Sequence, residues 1–235
     1  EISACLVGSE MCIRDSDVLV PRGGKELIKT VRKNSNIPVF SHLDGLCHTY
    51  IDKFANKNMA INITYNAKMR RTSICGATET ILCHKDIVKQ VLPHLLEKLL
   101  NAGCEIRGDN DVALLSKRIK KASEQDWKKE YLDSIVSIKV VNSLNEAIKH
   151  INDYSSKHTD AIITNSAKNA KLFLTEIESA IVMHNTSTQF SDGAEFGLGA
   201  EIGISTGKLH ARGPVSTQEL TTYKYIVKGN GQLRQ

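Results

Sequence analysis

The sequence predicts an α/β fold built on a mainly parallel sheet. Two observations carry that expectation. From Asp17 onward, short β-prone apolar runs alternate with segments of helical period. Repeated strand–helix order of this kind lays helices across a parallel sheet. No internal repeat or low-complexity linker interrupts it.

The first strand expected is DVLVP (17–21), ending at a proline, then the turn RGG and the helix KELIKTVRKNS with apolar residues at helical spacing. IPVFSHL and LCHTYID read as strands, the second alternating apolar and polar side chains. NKNMAINITYNAKM is a weaker helix, because its Ile, Thr and Asn residues favour other states. ETILCH is a strand and KDIVKQVLPHLLEKLLNAG an amphipathic helix stopped by Gly103. Pro93 inside it implies a kink or a later start. SIVSIKVV is a strand, and SLNEAIKHINDYSS a helix with Ser143 as N-cap and Glu146 completing a capping box. DAIITN (strand), AKNAKLFLTEI (helix) and SAIVMHN (strand) follow. A glycine-rich stretch, SDGAEFGLGAEIGISTG, then leads to a last strand candidate, ELTTYKYIV.

Composition bounds the function. The 235 residues are 41% hydrophobic and 24% charged, an ordinary globular balance. No apolar run reaches the roughly 18 residues of a membrane span, so no membrane partner is expected. Net charge is +5, but the cations are interspersed with acids and only 5% of residues are aromatic, which argues against nucleic-acid binding. The six cysteines form no CxxC pair and no metal-ligand spacing, so the reading is a reduced, cytoplasmic protein with free thiols and no metal. The segment CLVGSEMCIRDS at 5–16 has no clear periodicity and resembles translated adapter sequence, so residues 1–16 are taken together. They are read as a non-native leader and set aside with Cys5 and Cys12; a short genuine strand is the alternative.

Four stretches, in order, resemble the gamma-glutamyl phosphate reductases of the aldehyde dehydrogenase superfamily: PRGGKELI at 21–28, the Cys75 region in NAKMRRTSICGATETILCHKD, VNSLNEAIKHINDYSSKHTDAI at 141–162 with His150, His158 and Asp160, and FGLGAEIGISTGKLHARGP at 196–214 followed by ELTTYKYIV. The resemblance covers about residues 17–235. It implies an aldehyde dehydrogenase-like fold: a mainly parallel catalytic domain at 46–205, the end of a Rossmann-like cofactor domain at 17–45, and a return to the oligomerisation surface at 206–235. Family members carry a further N-terminal half, so the chain is read as a C-terminal piece with little or no activity of its own.

The resemblance implies NADP(H) as cofactor and gamma-glutamyl phosphate as substrate, reduced to glutamate semialdehyde with release of phosphate in proline biosynthesis. Glutamate 5-kinase is the implied pathway neighbour, and a homo-oligomer the implied full-length state. Cys75 is the implied nucleophile, because a thiolate displaces phosphate and leaves a thioester that accepts hydride. Lys68, Arg70 and Arg71 precede it and, if close in space, favour thiolate. Cys47, Cys83 and Cys104 are read as packed thiols.

His42, in SHLDG, stands where hydrolytic members of the superfamily carry a base that activates water, a departure suited to a reductase. Gly23 and Gly24 lie at a strand–helix turn and are the implied cofactor loop, since glycine lets a phosphate approach backbone. Glu130 aligns with the ribose-binding glutamate. Asn185, Ser187 and Thr188 are candidates for holding the glutamyl group, and Arg212, with Lys208 and His210, for an anionic group or a neighbouring subunit. Val215, Ser216 and Thr217 depart from the family pattern, and the family's oxyanion-holding asparagine falls in the half not matched. Two other readings stay open: an acylating dehydrogenase for another acyl substrate, and a catalytically dead assembly module.

Overall fold

The computed structural model describes residues 16–235. Cys5, Cys12 and all of the expected leader but its last residue lie outside the described residues. Seven strands form one sheet: β1 (Cys47–Ile51), β2 (Thr78–His84), β3 (Glu105–Gly108), β4 (Lys120–Lys121), β5 (Ile135–Val141), β6 (Thr159–Ile163) and β7 (Ile181–His184). Their order is β4-β3-β5-β2-β1-β6-β7, and each pairing is parallel. The helices are α1 (Lys25–Asn34), α2 (Lys57–Met69), α3 (Val88–Asn101), α4 (Asn110–Ala113), α5 (Leu144–Tyr154) and α6 (Ala167–Glu176). The parallel α/β architecture expected from the alternation is therefore present.

Burial on both faces explains why the strands read as near-continuous apolar runs. Ile51, Ile81, Cys83, Ile138 and Ile163 pack against α2 and α3 through Ala60, Val91, Leu92, Leu95 and Leu99. Their strand neighbours Tyr50, Leu82 and Ile162 point to the opposite face and meet Ala147, Ile148 and Ile151 of α5 and Phe173 of α6. The alternation in LCHTYID thus separates two covered faces, and all five residues of β1 are buried. Lys68 on α2 is wholly buried and donates to Glu79 of β2 at 2.7 Å. Burial raises the Glu79 carboxyl to about 7 against the pull of Lys68.

Several boundaries differ from the sequence reading. Residues 85–87 form a single 3₁₀ turn and α3 begins at Val88, running through Pro93. Ser143 caps α5 as expected, accepting from the Glu146 amide, but Glu146 accepts from the Asn142 amide rather than from Ser143, one residue outside the expected box. DVLVP and IPVFSHL do not become strands. They meet in one parallel bridge, Leu19 with Val39, and with no further strand beside them among the described residues the pair gains too few ladder bonds to extend. ELTTYKYIV is not a strand either. No strand pairs with it among the described residues, and Tyr223, Tyr225, Ile226 and Val227 are 73–90% exposed. The sequence reading also lacks β3, β4, α4 and an antiparallel hairpin of β8 (Gly203–Ser205) with β9 (Gly213–Val215).

Candidate active site

Cys75 lies on the loop between α2 and β2, and that loop is clamped from two sides. A side-chain carbon at Gly45 would fall 2.2 Å from the Cys75 carbonyl oxygen and 2.4 Å from its Cα, so only glycine allows this approach. The Cys47 thiol donates to the same carbonyl at 3.1 Å. The ladder between β1 and β2 slips in register between Cys47 and His48, beside this contact. On the other side Gly76 rests on the Thr188 carbonyl and the Ser191 hydroxyl.

The half-buried sulphur faces a cleft of about 720 Å³ lined by Gly23, Gly24, Lys25, His42, Asp44, Lys128, Lys129 and Glu130 among others. That volume suits a small-molecule ligand. Glu130 is held in place by the Gly45 amide, which donates to Oε1 at 2.7 Å. Lys25 reaches Asp44 at 2.6 Å across the rim. Gly24 occupies the N-cap of α1 and no side chain caps that end, so first-turn amides are open to an anion beside the cleft. Gly23 has φ +154°, a backbone conformation that L side chains rarely adopt. A dinucleotide fits these residues: a glycine turn and lysines for phosphates, and a carboxylate for hydroxyls.

Burial pushes the Cys75 thiol up to about 11, and the carboxylates of Glu130 and Glu201 push the same way. The cation acting against them is Arg22. The basic run before Cys75 does not do what its position suggested. Lys68 is spent on Glu79, and Arg70 points to the Gln189 side-chain oxygen at 3.4 Å. Two histidines stand by the thiol instead. One ring nitrogen of His42, one of His158 and the Cys75 sulphur all lie within 4.8 Å of one another. His42 Nδ1 is 2.8 Å from the Ile204 carbonyl, which fixes the proton there. The two rings meet edge to face, with centroids 4.9 Å apart. His158 is fully buried, and burial together with His42 lowers it to about 3, so it is neutral.

The structure thus brings Cys75, Gly23, Gly24 and Glu130 to one cleft. It does not bring Asn185, Ser187, Thr188 or Arg212 to its lining. Asn185, at φ +56°, turns the chain and exchanges two side-chain hydrogen bonds with the Thr164 backbone. Ser187 caps the turn Thr188–Phe190. Thr188 is buried against Thr78, at 2.9 Å between hydroxyls, and supports the Cys75 loop from behind. Arg212 and Lys208 are bound to Glu178. His210 lies 3.1 Å from the Glu219 carbonyl. Cys47, Cys83 and Cys104 are buried as expected. Arg22, Gly45 and Glu201 were not legible as site residues, because their proximity to Cys75 is made by the fold.

Residues 118–199 match the Aldehyde dehydrogenase family. Over 218 residues the chain is 58% identical to a gamma-glutamyl phosphate reductase of Rhodospirillum rubrum, covering 93% of this chain and 51% of the relative. A Bartonella quintana protein of the same name is 54% identical, with 53% of it covered. Among solved structures, gamma-glutamyl phosphate reductase from Thermotoga maritima superposes with TM-score 0.90 at 45% identity, over 93% of this chain and 53% of that one. An acetylating aldehyde dehydrogenase from Geobacillus thermoglucosidasius, 17% identical, superposes with TM-score 0.72 over 94% of this chain and 58% of that one, a likeness of fold alone. The chain spans about half the length of the curated relatives it matches.

Proposed function

We infer from this chain's place among the homologues of gamma-glutamyl phosphate reductase, on the aldehyde dehydrogenase fold, that it carries the nucleophile of an acyl-phosphate reductase. The observation that supports this reading best is the meeting of Cys75 with Gly23, Gly24 and Glu130 in one cleft. The Cys75 sulphur attacks the acyl carbon of gamma-glutamyl phosphate. The carbon–oxygen bond to phosphate breaks, phosphate leaves with the electron pair, and the thiol proton passes to solvent or to the leaving phosphate. NADPH, when bound in this cleft, supplies the hydride that turns the thioester into glutamate-5-semialdehyde and frees the thiolate.

The protein's part in this is placement. The Gly45 contact and the Cys47 hydrogen bond fix the Cys75 backbone. Glu130, anchored on Gly45, is positioned for ribose hydroxyls, and the open turn of α1 with Lys25, Lys128 and Lys129 for phosphates. His42 stands where hydrolytic members of the superfamily carry a water-activating carboxylate, a departure that suits a reductase. Residues 17–45 serve as the end of the cofactor domain, 46–205 as the catalytic domain and 206–235 as the oligomer-forming return. The whole enzyme works as a homo-oligomer in the cytoplasm, supplied by glutamate 5-kinase, and this chain alone turns over little NADPH.

The test is acylation of the chain itself. With gamma-glutamyl phosphate generated in place by glutamate 5-kinase, glutamate and ATP, a hydroxylamine-sensitive glutamyl adduct is expected on the Cys75 peptide. It should be absent in Cys75→Ser. An adduct spread over other cysteines, or none on Cys75, sinks the assignment.

A further inference from the structure

The surroundings of Cys75 contain groups that acyl transfer does not call for. Glu130 and Glu201 place negative charge beside a sulphur that is to become anionic and to receive an anionic substrate. His158 Nε2 is buried with no hydrogen-bond partner, although a lone buried ring nitrogen is costly. Its other nitrogen is taken, lying 2.9 Å from the Thr159 hydroxyl and 3.7 Å from the Cys47 sulphur. His42 is held in a similar way, with Nδ1 2.8 Å from the Ile204 carbonyl. Two imidazoles, each held through one nitrogen by a second partner, and one thiol within 4.8 Å form the arrangement in which metal-binding histidines are found.

We propose that His42, Cys75 and His158 form a three-ligand site for a borderline-soft divalent cation of the zinc type, and that occupancy masks the sulphur. Two imidazoles and one thiolate are ligands of the types zinc takes, and three of them leave a fourth position open to water. Zinc bond lengths require donor separations of roughly 3.4–3.6 Å. The present spacing, at most 4.8 Å, must shorten on binding, with the half-buried Cys75 and His42 moving toward the fully buried His158. Binding exchanges the sulphur–hydrogen bond for a sulphur–metal bond and releases one proton to solvent, with no change of oxidation state. The two carboxylates that oppose a thiolate favour a dication. The proposal goes beyond the reductase reading, since it concerns coordination in the absence of substrate and cofactor.

Cobalt(II) reads the site directly, because thiolate ligation gives an intense charge-transfer band. The 235-residue chain, titrated with cobalt(II) and then with zinc in competition, is expected to bind one equivalent with that band. Cys75→Ser abolishes the band, and His42→Gln weakens binding by about tenfold or more. His158→Gln does the same; if it fails to fold by circular dichroism, His42→Gln, on a loop, carries the histidine arm. No thiolate band in the folded chain, a band that survives Cys75→Ser, or unchanged affinity in His42→Gln overturns the proposal. Since neither NADPH nor acyl phosphate is present, these outcomes are independent of whether Cys75 is acylated.

Discussion

Cys75 is a half-buried thiol with two carboxylates nearby, and its reactivity follows first from burial and then from those charges. Burial and the carboxylates of Glu130 and Glu201 hold it near 11, so little thiolate exists at neutral pH in the free chain. Alkylation of Cys75, followed by peptide mapping with a chelator present, is therefore expected to be slow at pH 7 and to climb steeply toward pH 10. Glu130→Gln removes the larger of the two opposing charges and should speed labelling at pH 7 severalfold, about tenfold per unit of thiol shift. An unchanged rate would mean that the carboxylate does not act on the sulphur. Cys83, buried and pushed up to about 12, is the internal control. The family resemblance singled out Cys75, Gly23, Gly24 and Glu130, and the fold brings the four to one cleft. Lys68, seven residues before the thiol in sequence, is half of a buried ion pair with Glu79. A charged residue on an apolar helix face is ambiguous until its partner is known, and here the partner lies on a neighbouring strand.

At the scale of elements, most of the parallel sheet was legible, since β1, β2, β5, β6 and β7 are apolar runs between helices of clear period. The short strands were not. β3 alternates half-buried and buried residues, and β4 is two exposed lysines that pair only because Arg107 and Gly108 lie alongside. ELTTYKYIV has strand composition without a strand to pair with, and composition cannot report a partner. Helix α5 gives a measurable case of local sequence setting structure. Its hydrophobic face packs Ala147, Ile148 and Ile151 under the sheet, and Ser143 satisfies an amide at its start. Ser143→Ala should cost about 1 kcal/mol in urea unfolding, with no loss of cleft residues. A cost near zero would show that Asn142 and Glu146, already joined through the Asn142 amide, hold the helix end unaided.

For the whole molecule, acid stability is written into the buried polar groups. His150, on α5, is packed among Trp127, Tyr154 and His48, with ring centroids 4.6–5.7 Å away. Burial, with His48 and Lys139, lowers it to about 2. The unfolded chain takes up this proton near pH 6.5 and the folded chain refuses it, so the unfolded state binds more protons and stability falls as pH drops below that value. His150 alone contributes a slope of about 1.4 kcal/mol per pH unit; His158, lowered to about 3, adds to it, and Glu79, raised to about 7 and so protonated first in the folded chain, works against it. Asp126 adds to it at lower pH. Burial alone would raise its carboxyl, but hydrogen bonds from the Ser123 amide, Arg107, the Ser123 hydroxyl and Tyr131 outweigh that and hold it well below the usual carboxylate range. A carboxyl depressed in the folded state contributes stability above about pH 4, lost as pH falls further. Urea midpoints measured from pH 7 down to pH 4 should therefore drop from about pH 6.5. His150→Phe, which keeps the ring stack without the basic nitrogen, should remove part of that early drop and leave the decline below pH 4. Parallel curves for the two proteins across pH 6.5–4 would show that His150 is protonated in the folded state after all.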